Sequence, residues 1–321
     1  MGSAIVEHGQ TGETAGGRSP GGKPNLVPLL ALVGVTAIWG GTFVVVKDVT
    51  RQASLVDFLA IRFLIATAVL VSLRPRRSVS RSPRTWGRGV LLGLMLCGAC
   101  IAQTYGQQHT SASMSGFITG LAVVFTPVLA GVLLRKRIGP AYWGSVAIAT
   151  AGLAVMSIRS VTIGPGESLT LPCALFLAPH TTALGEWSGA GDAHALTVIQ
   201  LGMVGVVCLG LGVQDGFVLT ATWSFWFPVT GLAVLATAVA YLVQTWAQAR
   251  LPASVVAVVL TLEPVFAGVF GVAVDGDEMT LRIVLGAVLV LCAMVLAEVR
   301  PRPSAGRHRR GSRDSGTSGR E

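Results

Sequence analysis

The sequence predicts an all-α integral membrane fold: ten transmembrane helices built from two inverted five-helix repeats. Three observations carry this expectation. First, 52% of the 321 residues are hydrophobic and only 12% are charged, whereas soluble domains carry about 25% charged residues. The mean hydropathy of +0.67 agrees, and an ordinary cytosolic enzyme is nearly excluded. Second, ten apolar runs approach the roughly 20 residues that a helix needs to cross a bilayer. Third, the segment Gln103–Phe125 recurs as Gln244–Phe266, 141 residues later, with eight identities in 23 positions.

In chain order, residues 1–25 are polar and Gly-rich, as expected of a disordered cytoplasmic tail with no short signal-peptide core. The first span, 26–46, carries Trp39 followed by Gly40 and Gly41, where adjacent glycines permit close backbone approach or a bend. The second, 55–73, contains Arg62. The third, 88–107, follows an arginine-rich loop and ends in Gln103, Tyr105 and Gln107. The fourth, 113–134, carries Pro127 and the pair Gly116 and Gly120, a small-residue packing face. The fifth is 140–158. The sixth, 168–187, places His180 directly after Pro179, and the seventh is 195–213. The eighth, 226–247, ends in Gln244 and Trp246, with Gln248 just beyond. The ninth, 252–274, holds Glu263 before Pro264, and the tenth is 282–299. Residues 300–321 read as a disordered basic tail. The two repeats are therefore 26–158 and 168–299.

Loop charge sets the orientation. With the N-terminus inside, the inner loops carry ten Lys and Arg against four on the opposite side. Cytoplasmic loops are enriched in these residues, so both termini are expected in the cytoplasm and the chain in the cell (inner) membrane. Five spans per repeat is an odd number, so the second copy crosses in the opposite sense. Such repeats are a transporter architecture.

Charge at lipid depth is costly, and such groups usually face a cavity or a partner. Pro264 removes a backbone donor and disfavours helical geometry at the residue before it. Glu263 beside such a break suits binding of a cation or proton, or it caps local amides. Arg62 is expected to share a cavity with Glu263, either clamping a substrate carboxylate or phosphate or forming a structural ion pair with Glu263 or Asp57. His180 can relay protons or simply bond a neighbouring helix. Gln103, Gln107, Gln244 and Gln248, with the aromatic residues Tyr105 and Trp246, either line a pathway or tie helices together. Cys97 and Cys100 have redox-motif spacing but read as apolar filler, as do Cys173, Cys208 and Cys292. There is no Walker loop, dinucleotide turn, catalytic set or metal-ligand spacing, so no cofactor, no metal, no enzymatic activity and no nucleic-acid partner are expected.

Several motifs taken in order resemble the EamA-type permeases of the drug/metabolite transporter superfamily. Ala37-Ile38-Trp39-Gly40-Gly41-Thr42-Phe43 resembles the family's first-helix signature, and Arg62-Phe63 its second-helix pair. Thr110-Ser111-Ala112-Ser113 resembles the turn into its fourth helix, and Glu263-Pro264-Val265-Phe266 the motif of its ninth. The family's Gly-Glu pairs after the fourth and ninth helices are replaced here by Arg135-Lys136 and Gly276-Asp277. The first replacement reverses the charge. The resemblance implies alternating access for small organic metabolites, amino acids or drugs, often outward, with the lipid bilayer and protons as further partners. It leaves monomer and homodimer open. Uncoupled facilitated diffusion, a lipid-modifying membrane enzyme and a non-transporting receptor are the competing readings.

Overall fold

Every apolar run whose backbone is described forms a helix in the computed structural model. It describes residues 26–74, 82–109, 139–157, 165–189, 192–214, 216–217, 222–274 and 280–299, with isolated positions between 115 and 129. Most of the fourth span, including Pro127, lies outside the described residues, as do both tails. Among the described residues there is no strand.

The helices are α1 (Leu26–Val49), α2 (Leu55–Leu73), α3 (Pro83–Gln107), α4 (Pro140–Ser157), α5 (Pro165–Trp187) and α6 (Ala193–Gln214), followed by α7 (Trp223–Gly231) and α8 (Ala240–Gln248). The last helices are α9 (Ala253–Leu260), α10 (Glu263–Val274) and α11 (Leu281–Val299). Local chemistry sets several of these ends. Ser54 caps α2 by accepting from the Asp57 amide at 3.2 Å, which satisfies one of the free donors of a helix start. Pro83 opens α3, where its missing N–H costs nothing. That start is earlier than the sequence suggested, so Arg84 and Arg88 lie on the helix rather than in the loop. By length and composition, five helices can cross a membrane: Leu26–Phe43, Leu55–Leu73, Pro83–Gln107, Ala193–Gln214 and Trp223–Gln248. The apolar stretches Val255–Phe270 and Val284–Ala293 are shorter.

Two helices depart from regular geometry. Between α7 and α8 the helix continues unbroken but widens over Leu232–Val239, where hydrogen bonds reach back five residues. No proline or glycine lies in Leu232–Val239. Within this stretch the Trp39 indole of α1 donates to the Ala236 carbonyl at 2.8 Å. The second departure is the complete interruption between α9 and α10. Thr261 and Leu262 turn tightly, their amides bonding to Val258 and Val259 three residues back. Pro264 then occupies the first turn of α10, a position where proline is pre-organised for the helix.

The packing pairs α2 with α6, α3 with α5 and α6, and α4 with α11. α1 packs on α8, α9 and α10, and α2 on the widened segment. The first half therefore meets the second along most of its length. A large core of Phe58, Leu59, Phe63, Leu96, Leu201, Phe225 and neighbouring residues fills the seam where α2, α3, α6 and the α7–α8 helix meet. Within it, the buried thiols of Cys97 and Cys208 approach to 3.9 Å. A second core, including Leu32, Val35, Val256, Val259 and Leu262, joins α1 to α9.

Candidate functional site

Polar residues from both halves converge on one partly open cavity of about 100 Å³ between the helices. Trp39 and Thr42 come from α1, Arg62 and Phe63 from α2, and Cys100, Gln103 and Gln107 from α3. The second half supplies His180 and Thr181 from α5, Tyr241 and Gln244 from α8, and Glu263 and Pro264 from the start of α10. The cavity is far smaller than the roughly 300–1,000 Å³ that envelops a drug-sized ligand. In this conformation it accommodates a small polar group.

Arg62 and Glu263 both line this cavity and both are half-buried. Neither forms an ion pair among the described residues, where the sole salt bridge is Arg51 with Asp48 at 3.9 Å. The sequence left open a structural pair of Arg62 with Glu263 or Asp57; the described contacts instead give Arg62 a hydroxyl partner. Its Nε donates to Thr237 Oγ1 at 2.6 Å. Its guanidinium lies 5.7 Å from the Phe63 ring centre and 6.0 Å from that of Phe58, close enough for attraction by the ring faces.

An aromatic wall backs the charged pair. The Trp39 and Tyr241 rings are 5.2 Å apart, and Tyr241 is 6.2 Å from Phe63. Directly behind Trp39, the backbone of α1 touches the broken helix. A Cβ placed on Gly40 would lie 2.5 Å from Phe266 Cβ and 2.8 Å from both the Glu263 carbonyl oxygen and the Ala267 nitrogen. Only glycine permits this approach, so α1 seats against the turn that presents Glu263. Gly41 faces the Phe270 ring.

His180 is fully buried, and its Nε2 lies 2.9 Å from Gln200 Oε1. The Gln200 amide nitrogen donates to Thr245 Oγ1 at 3.3 Å. With the carboxamide so placed, Nε2 carries the imidazole proton. Gln200 lies on α6 and Thr245 on α8, so the chain ties three helices together. Gln248 also bonds across helices, donating to the Thr181 carbonyl at 3.1 Å. Gln103 donates to Thr119 Oγ1 at 3.4 Å.

Of the residues singled out in the sequence, Trp39, Arg62, Gln103, Gln107, His180, Gln244 and Glu263 line the cavity, and so does Pro264, which the sequence marked as a helix break. Tyr105, Trp246 and Gln248 do not. Tyr105 is exposed and its ring lies tilted against that of His109, 4.9 Å away. Trp246 lies under the Arg250 guanidinium, 4.4 Å away. Gln248 is buried in a helix contact rather than at the cavity wall. Tyr105 and Trp246 follow Gln103 and Gln244 by two residues, which puts them on the opposite side of their helices; linear identity does not reveal this. Sequence reading also missed Thr237, Tyr241 and Gln200. Tyr241, one turn before Gln244 and Thr245, was within reach of helical periodicity. Thr237 was not, because its role depends on the widened turn.

The chain is similar over most of its length to proteins named as transporters. One, an uncharacterized transporter of Archaeoglobus fulgidus, is 29% identical over 87% of this chain and 88% of its own. Another, the uncharacterized transporter YoaV of Bacillus subtilis, is 22% identical over 84% of this chain and 95% of its own. A solved crystal structure shares the fold, with a TM-score of 0.70 and 15% identity over 83% of this chain and 94% of that one. The EamA-like transporter family matches twice, over residues 26–158 and 166–298. Two tandem matches spanning nearly the whole helical region, together with the apolar helices that enclose the cavity, identify this multi-pass membrane protein as a member of the EamA-like transporter family.

Proposed function

We propose that the chain is a secondary transporter that exports small amphipathic organic molecules, among them metabolites, amino acids or drugs, by alternating access. The observation that carries this reading is one cavity between the halves, lined by Arg62 from the first and Glu263 from the second. Such charges are expensive in lipid and pointless in a filler core. The halves 26–158 and 168–299 act as two inverted repeats that rock about the cavity. The packing supports two equivalent copies: α3 meets α5 and α6 much as the α7–α8 helix meets α1 and α2, a pattern preserved when the halves exchange roles. Both termini face the cytoplasm in this reading. The small cavity volume fits a conformation that must widen to admit a whole substrate.

Glu263 is the proton-coupling group. It sits at a helix break beside the cavity with no described cation partner, so protonation and substrate contact can compete there. Purified protein in vesicles, challenged with a metabolite mixture under an imposed pH gradient, tests the reading. Net movement of one or more compounds is expected, and Glu263→Gln should abolish its dependence on the gradient. Gradient-independent equilibration in the wild type would favour facilitated diffusion. No flux of any compound would remove the transporter reading.

A further inference from the structure

We propose that Thr237 is the positioning residue for Arg62, holding the guanidinium by its Nε so that both terminal nitrogens meet the paired oxygens of a substrate carboxylate or phosphate. This deepens the transporter reading and rests on it for the identity of the cavity as a substrate site.

The hydrogen-bond directions follow from counting protons. A threonine hydroxyl has one proton and two lone pairs. The proton of Thr237 goes to the Leu232 carbonyl at 3.0 Å. At Arg62 Nε, 2.6 Å away, the hydroxyl can therefore only accept. This uses the single Nε proton and leaves the four protons of the terminal nitrogens, which bond to no described residue. A guanidinium fixed at Nε keeps its flat outer edge free, the edge that binds carboxylate or phosphate in bidentate fashion.

The widened turn is what aims the hydroxyl. Thr67, Thr197 and Thr245, in regular helix, each bond to the carbonyl four residues back. Thr237 bonds five residues back instead, so its Oγ1 is turned relative to theirs. Ala236, its neighbour in the same turn, accepts from the Trp39 indole. Consecutive residues of the second half thus hold one cavity residue each from α1 and α2. Glu263 lines the same cavity, which suits a substrate with a donor group opposite its anionic end.

The experiment uses the full-length protein in lipid nanodiscs and butane-2,3-dione, which attacks the terminal nitrogens of a guanidinium. Formation of the Arg62 adduct is followed by peptide mass spectrometry with sodium benzoate, with sodium phosphate, or with neither. In the wild type and in Thr237→Ser, at least one anion should slow the adduct by about tenfold, the factor expected of one charge-assisted pair. In Thr237→Val, which keeps the shape and loses the hydroxyl, protection should nearly vanish in protein that still folds, at a somewhat lower melting temperature. Thr237→Ala replaces it if the valine variant does not fold. The benzoate and phosphate arms distinguish the two anion chemistries. Equal protection in Thr237→Val and wild type overturns the proposal, and so does a wild-type Arg62 that neither anion shields. Shielding through Thr237 in a protein that moves no metabolite would instead uphold the positioning role and remove the transporter reading.

Discussion

Replacing Gly40 with alanine is expected to destabilise the protein by prising α1 from the break that presents Glu263. The added Cβ would lie 2.5 Å from Phe266 Cβ and 2.8 Å from the Glu263 carbonyl oxygen and the Ala267 nitrogen. Carbon atoms pack best at about 3.5–4.0 Å, so α10 must retreat by roughly 1 Å. Backbone atoms form two of the three contacts, and backbone cannot rotate away as a long side chain can. Overpacking of this kind costs about 1–3 kcal/mol. Gly34 is the internal control: it lies on the same helix and has nothing within 4 Å of its Cβ position. Gly34→Ala should be neutral or gain up to about 1 kcal/mol from helix propensity. The two variants should therefore differ by about 1–4 kcal/mol. At about 2–4 °C per kcal/mol, their melting temperatures should separate on the order of 10 °C in detergent, read by size-exclusion of a fluorescent fusion. Gly40→Ala should also reduce flux more than expression, because the displaced turn carries Glu263. Equal melting of the two alanine variants would refute the reasoning.

Trp39→Phe keeps the ring but removes the donor to Ala236; an orphaned buried carbonyl costs about 1–3 kcal/mol, visible as a lower melting temperature. A Trp39→Phe protein as stable as wild type would mean that the carbonyl finds another donor. Gln200→Leu preserves volume but cuts the chain from His180 to Thr245. It should destabilise by a similar amount, read as a lower melting temperature, because His180 Nε2 and the Thr245 hydroxyl each lose a partner. A Gln200→Leu protein that melts with the wild type would deny His180 that tether.

Helix content was legible because apolar run length alone reports it. Arg62 and Glu263 were legible as cavity residues for an energetic reason: few other positions tolerate charge at that depth. Pro264 likewise announced a break, although the interruption falls at Thr261 and Leu262 with Glu263 already inside the next helix. The widened turn was not legible. Leu232–Val239 contains no breaker, and its distortion accompanies Trp39 and Arg62, almost 200 residues away in Trp39's case. Thr237 therefore read as one more small residue in an apolar helix. Tyr105 and Trp246 mark the opposite error. Similarity between repeats placed them with the glutamines, but a helix turns about 100° per residue, so neighbours in sequence diverge in space.

Labelling of Cys100 tests the central claim of a polar cavity reached alternately from the two membrane faces. Cys100 lines the cavity on α3 beside the charged residues, and the other four cysteines can be replaced by alanine or serine. Membrane-impermeant methanethiosulfonates should label Cys100 from the outer face under one imposed gradient and from the inner face under its reverse. A Cys100 that reacts only with lipid-soluble maleimide, at a rate indifferent to side and gradient, would contradict the account.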